Sequence, residues 1–176
     1  MVAGYEWISP TRVAGLAVYS VTALACALRS LRCRWDDVSG RSFAVLTGVQ
    51  FALLLDMAFD WRWKIHDYWM HKAMDLGLYA DRRSPQLLAL LALGLPLALG
   101  CLLLWHRFRQ RPGLALALVG TLLSLELWCC ECLSYHFVDA VLYRLLGKLM
   151  AISLVWIGLA AVTCFGVWMD DRRRGV

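Results

Sequence analysis

"QLLALLALGLPLALGCLLLW", residues 86–105, is a run of twenty residues without a single charged side chain. At about 1.5 Å of rise per residue, a helix of this length crosses the roughly 30 Å hydrocarbon core of a membrane. Four further apolar blocks lie at 13–28, at 42–59, from 113 to somewhere past 133, and at 149–169. The whole chain is 61% hydrophobic and 18% charged, whereas soluble domains are about 25% charged. The sequence therefore predicts a polytopic membrane protein.

We predict an all-α fold, a single transmembrane bundle over residues 1–176 with about five transmembrane helices and one outer interfacial helix. Two helices are expected to begin at the pairs Ser9-Pro10 and Ser84-Pro85, since a capping serine followed by proline is a helix-start signal. The segment after the second block is rich in Trp and Tyr, which prefer the membrane interface. The predicted helices are approximately 10–31, 42–60, 85–105, 113–137 and 141–169, with the interfacial segment at 61–82.

The distribution of cations between the loops predicts the orientation. With the N-terminus outside and the C-terminus in the cytoplasm, the cytoplasmic segments hold ten Lys and Arg residues and the outer segments hold eight. This agrees with the positive-inside rule. Arginine outnumbers lysine fifteen to three, a composition typical of GC-rich bacterial genomes, so we predict a bacterial inner (cytoplasmic) membrane location.

The same composition limits the partners. The excess of positive charge follows from loop orientation, and the sequence shows no nucleic-acid-binding module. The expected partners are membrane lipids, a hydrophobic small-molecule substrate, and a membrane protein partner or a second copy of the chain.

The stretch "ELWCCECLSYHFVD", residues 126–139, runs on directly from the apolar stretch 113–125. It holds two glutamates, three cysteines, a histidine and an aspartate where lipid-facing residues would be expected. The second block carries acids at its end as well, Asp56 and Asp60. Carboxylates inside a membrane are expensive and normally face the interior of the bundle or a watery cavity. An acid/His cluster is therefore predicted at the outer end of helices 2 and 4.

Helical rise gives this cluster a predicted arrangement. If the second helix starts at residue 42 and the fourth at residue 113, Asp56 and Glu126 both lie about 20 Å along their helices. Asp60 and Glu131 then lie together at about 27 Å. The spacing thus predicts two pairs of acids at matching depths.

Carboxylate and imidazole groups on facing helices are how helical bundles hold paired metal ions, and this donor set suits iron, manganese or zinc. We predict a divalent metal bound by Asp60, His66, Glu131 and His136, with Asp56 and Glu126 as catalytic proton acceptors. This predicts a metal-dependent membrane enzyme, an oxidoreductase or a hydrolase, acting on a lipid or small hydrophobic substrate. Further candidate ligands are Asp67, His71, Asp139, Cys129 and Cys132.

A structural alternative uses the same acids. Arg62, Lys64, Arg144 and Lys148 lie near them in the predicted topology and are suitable salt-bridge partners. The protein would then be a non-catalytic accessory or scaffold membrane protein with a salt-bridged polar cluster. A third alternative is a bundle that conducts protons along the Asp, Glu and His side chains.

Two short motifs have partial likenesses to known families. The C-x-x-C of Cys129 to Cys132 is similar to that of quinone-linked, disulfide-generating membrane enzymes, although no second cysteine pair lies on the same side. Asp56-x-x-x-Asp60 resembles half of the aspartate signature that binds Mg²⁺-diphosphate in membrane prenyltransferases, and the longer companion motif is absent.

Overall fold

The computed structural model describes residues 9–33, 37–79, 81, 83–133 and 136–173, without the side chains of His136 and Phe137. Helices make up 86% of these residues, and five helices have the length and apolar composition of membrane spans. This confirms the predicted all-α bundle with about five candidate membrane-spanning helices. The elements are α1 (Pro10–Arg32), α2 (Val38–Phe59), α3 (Trp61–Asp75), α4 (Arg83–Arg107), α5 (Pro112–Leu133), α6 (His136–Leu142), β1 (Leu145–Leu146), β2 (Leu149–Met150) and α7 (Ala151–Arg172).

The region between the last two spans differs from the prediction. The helix predicted at 113–137 ends at Leu133, and the helix predicted at 141–169 begins only at Ala151. The short helix α6 and the antiparallel pair β1–β2 occupy the interval. Gly147 turns between the two strands with a φ of +70°, a conformation that glycine adopts without strain. Hydrophobic periodicity did not separate these short apolar strands from the following helix.

Helix starts are set by local capping. At α1 the predicted start is confirmed, since the Ser9 hydroxyl accepts a hydrogen bond from the Arg12 backbone N–H at 3.2 Å. The second helix begins at Val38, four residues before the predicted 42, because the Asp37 carboxylate accepts from the Ser39 backbone N–H at 3.3 Å. Because of this earlier start, every residue of α2 lies further along the bundle axis, relative to α5, than predicted.

Four helices, α1, α2, α5 and α7, pack around a common core. Within the described residues, the only helix that α4 contacts extensively is α5. The ends of the bundle are named after two buried arginines: α2 and α5 terminate at the Arg62 end, and α1 and α7 terminate at the Arg29 end. Buried side chains near the Arg29 end are Cys26, Phe43, Leu46, Leu114, Ala117 and Val167. Those near the Arg62 end are Tyr19, Leu53, Met57, Ile152 and Trp156.

Small residues bring α5 and α7 into close contact. A Cβ built on Gly166 would lie 2.5 Å from the backbone nitrogen of Ala117, and one on Gly113 would lie 2.4 Å from that of Asp170. Membrane helices commonly associate through such small residues, which let the backbones approach. Glycine is therefore required at both positions.

A buried glutamine joins three helices halfway along the bundle. Gln50 of α2 is 1% exposed. Its side-chain oxygen accepts from the Thr22 hydroxyl of α1 at 3.0 Å, and its amide nitrogen donates to the Thr121 hydroxyl of α5 at 3.0 Å. Both ends of the amide are thus satisfied away from lipid.

Candidate functional site

The turn between α2 and α3 is organised by Asp56. At Asp60 the backbone takes the left-handed conformation, with φ 57° and ψ 36°, which ends α2 and redirects the chain into α3. The Asp56 carboxylate accepts from the backbone N–H of Arg62 at 2.8 Å and from its Nε at 2.6 Å. The Asp56 carboxylate therefore binds a backbone N–H in the first turn of α3 and also holds the Arg62 side chain inside the bundle.

Arg62 links this turn to two other helices. Its guanidinium donates to Glu131 on α5 and lies 5.7 Å from the ring centre of Trp156 on α7. The Trp156 indole N–H donates to the second oxygen of Glu131 at 3.2 Å. We call Asp56, Arg62, Glu131 and Trp156 the Arg62 cluster; its charged members are between 3% and 5% exposed.

The Arg62 cluster contains more acidic than basic side chains. Two carboxylates face one guanidinium, which leaves one excess negative charge. Charge-assisted hydrogen bonds to carboxylates are about twice as strong as neutral ones, and the N–H groups of Arg62 and Trp156 supply several of them. These donors stabilise the carboxylates in place of the water that they have lost.

A second ion pair lies beside the cluster. Arg12, in the first turn of α1, is 2.9 Å from the Asp60 carboxylate through Nη1. Its Nη2 donates to the backbone oxygen of Ala58 at 2.7 Å. The last turn of α2 is therefore fastened to α1 through both a carbonyl and a side chain.

The predicted pairing of acids by depth was wrong. Asp56 shares Arg62 with Glu131, where the prediction had placed it level with Glu126 and had placed Asp60 level with Glu131. The reason is the earlier start of α2, which moves Asp56 about 6 Å further along the bundle axis. Glu126 itself is half-buried, and among the hydrogen bonds and ion pairs of the described residues none reaches it.

Three other candidate residues line one cavity at the Arg62 end. His66 of α3, Cys132 of α5 and Asp139 of α6 all border this space, which has a volume of about 410 Å³. Of the remaining candidates, Cys129 is half-buried, and Asp67 and His71 are exposed on α3, where His71 Nδ1 lies 2.7 Å from the Asp67 backbone oxygen. The side chain of His136 lies outside the described residues.

The predicted metal centre finds no support in the part of the chain that is described, where no three His, Cys, Asp or Glu side chains are placed to hold a metal ion. The donors expected to bind it are engaged with arginine: Glu131 with Arg62, and Asp60 with Arg12. Two of the four predicted ligands are therefore paired with arginine. The ligand roles given to Asp60, His66, Glu131 and His136 stay predictions.

Sequence reasoning missed two members of this network. Arg12 was counted only among the eight outer cations, although its place directly before the apolar run at 13–28 brings it next to the end of α2. Trp156 lies inside an apolar block, where its indole N–H needs an acceptor because water is absent. That requirement is the sequence signal that could have identified it.

The Arg29 end carries a comparable network. Arg29 is 4% exposed and binds the Asp170 carboxylate through Nε at 3.0 Å and Nη2 at 2.8 Å. Its Nη1 reaches Asp171 at 2.9 Å. Nε and Nη2 both donate to Oδ2 of Asp170, and Nη2 also donates to the Asp170 backbone oxygen, so these charge-assisted hydrogen bonds connect α1 to α7.

Comparison with known proteins gave no match: no family model fits the chain, and no curated protein or solved structure is similar to it.

Proposed function

We propose that the protein is a non-catalytic accessory or scaffold protein of the membrane, whose acid clusters are salt-bridged and structural. The observation that carries this proposal is the position of Arg62 between Asp56 and Glu131. Both acids are 3% exposed. A general acid or base must come within hydrogen-bond distance of its substrate. A carboxylate that is buried and already bound to arginine is poorly accessible to a substrate.

Fastening contacts at both ends of the bundle support the same proposal. Arg12 and Arg62 connect α1, α2, α3 and α5 at one end, and Arg29 connects α1 to α7 at the other. Breaking a buried ion pair is strongly destabilising because the remaining charge is left uncompensated. Networks of this kind hold helices in one arrangement. A scaffold protein requires this, because it acts by presenting a fixed surface to its partners.

The experiment that tests the proposal is elemental analysis of the detergent-purified protein, prepared without a histidine tag. We expect no stoichiometric iron, manganese or zinc, and no change of the thermal transition on addition of a chelator. A metal ion would be held by deprotonated ligands and would stabilise the folded state. Asp60→Ala and the matched control Asp75→Ala, an exposed acid on α3 that is not among the predicted ligands, are analysed beside the wild type.

The contrary outcome is equally specific. About one or two metal ions per chain, lost in Asp60→Ala and retained in Asp75→Ala, would replace the scaffold proposal by a metal-dependent enzyme.

A further inference from the structure

The cavity at the Arg62 end is enclosed by four elements. Residues of α3, the start of α4, the end of α5 and α6 border it, and its volume is about 410 Å³. Sites for small molecules are typically clefts of about 300–1,000 Å³. The amide nitrogen of Gln86 on α4 donates to the backbone oxygen of Leu133 on α5 at 3.2 Å, which holds two walls of the cavity together.

The lining divides into an apolar and a polar part. Met70 and Ala73 of α3, Ala89 of α4 and Leu133 of α5 are apolar, whereas His66 and Asp139 bring an imidazole and a carboxylate. No lysine or arginine is present among the described residues that line it. Such a lining matches a ligand with an apolar tail and a head group that donates hydrogen bonds or carries positive charge.

Helix α4 joins this cavity to a surface that a bilayer would cover. No residue of α4 is buried, and its mean hydropathy of 2.6 is the highest among the five candidate spans. A lipid chain that lies against α4 therefore reaches the cavity at Ala89. An apolar tail can remain in the hydrocarbon region while the head group occupies the end of the bundle where α3 lies.

We propose that this cavity binds one phospholipid with a primary-amine head group. The ammonium group donates to the Asp139 carboxylate and to His66, and the upper part of one acyl chain lies between Ala73 and Ala89. A carboxylate accepts several hydrogen bonds at once, so Asp139 can bind the ammonium together with other partners. The site is independent of the Arg62 cluster, and its failure would leave the scaffold proposal untouched.

The test uses phosphatidylethanolamine with a diazirine on its acyl chain, incorporated into nanodiscs that contain the full-length protein. After irradiation, mass spectrometry locates the labelled peptides. We expect labelling of the Met70–Ala73 segment, reduced about tenfold by Ala89→Trp, which corresponds to about 1.4 kcal/mol of binding free energy. Ala98→Trp, at an exposed alanine of the same helix that does not line the cavity, is the matched control and should label like the wild type.

Head-group selectivity is measured with the corresponding phosphatidylcholine and phosphatidylglycerol probes, which lack the primary amine. Both should label the cavity less than the ethanolamine probe, and Asp139→Asn should bring the three probes to equal labelling without filling the cavity. This second variant decides the matter even if Ala89→Trp fails to fold. Equal labelling by all three probes in the wild type, or labelling unchanged in Ala89→Trp, would show ordinary contact with bulk lipid and overturn the proposal.

Discussion

Replacing Arg62 by methionine removes the guanidinium and keeps an unbranched side chain in its place. Asp56 and Glu131, each 3% exposed, would then be two buried carboxylates without a counter-ion. Two unit charges about 4 Å apart interact by about 4 kcal/mol at an effective dielectric constant of 20. Because losing one partner of a buried ion pair costs about 3–5 kcal/mol in measured cases, we expect Arg62→Met to lower the free energy of unfolding by about that amount.

Unfolding in mixed micelles with increasing SDS fraction, followed by tryptophan fluorescence, gives this free energy. Lys64→Met, at an exposed position on the same helix, is the matched control and should change stability by no more than about 0.5 kcal/mol. Adding Asp56→Asn and Glu131→Gln to Arg62→Met should recover much of the loss, since no uncompensated charge remains. If Arg62→Met is no more destabilising than Lys64→Met, Arg62 does not stabilise the bundle through Asp56 and Glu131.

Three further predictions concern the rest of the bundle. Gly166→Ala should lower the free energy of unfolding by about 1–3 kcal/mol, because the added Cβ would collide with the backbone of α5. Gly158→Ala, at a position of the same helix that faces open space, should not lower it, and equal melting temperatures of the two variants would contradict this prediction. Gln50→Leu should lower the free energy of unfolding by about 0.6–1.7 kcal/mol, because the hydrogen bonds to Thr22 and Thr121 are lost. A free energy of unfolding in SDS equal to that of the wild type would contradict this. A reporter fused after Val176 should read as cytoplasmic and one inserted after Asp81 as external; the opposite readings would invert the predicted topology.

The fold class followed from the sequence because the physical requirement is simple. A run such as 86–105, without charge and long enough to cross the hydrocarbon core, has few soluble alternatives. Capping was also readable at Ser9, where serine precedes proline. The start of α2 was not, because Ser39, Gly40 and Arg41 separate Val38 from the apolar run at 42–59. The resulting error of four residues changed which acids were predicted to meet.

Only part of the candidate site could be predicted from the sequence, for a different reason. The burial of Asp56 and Glu131 could be anticipated, since intramembrane carboxylates face the bundle interior. Their counter-ion depended on the left-handed turn at Asp60, which points Arg62 inward although its neighbours on α3 are largely exposed. Four cations were candidates by sequence, and only the backbone direction after the turn selects among them.

Arg62 and Glu131 stabilise each other directly across α3 and α5, and a double-mutant cycle measures this. Unfolding free energies of wild type, Arg62→Met, Glu131→Gln and the double variant give the coupling energy, with the Lys64→Met and Glu131→Gln cycle as control. Contacting charged residues show couplings of about 0.5–3 kcal/mol, and we expect at least about 1 kcal/mol for Arg62 with Glu131 and additivity within about 0.5 kcal/mol for the control. Additive effects in the Arg62 cycle would contradict the claim.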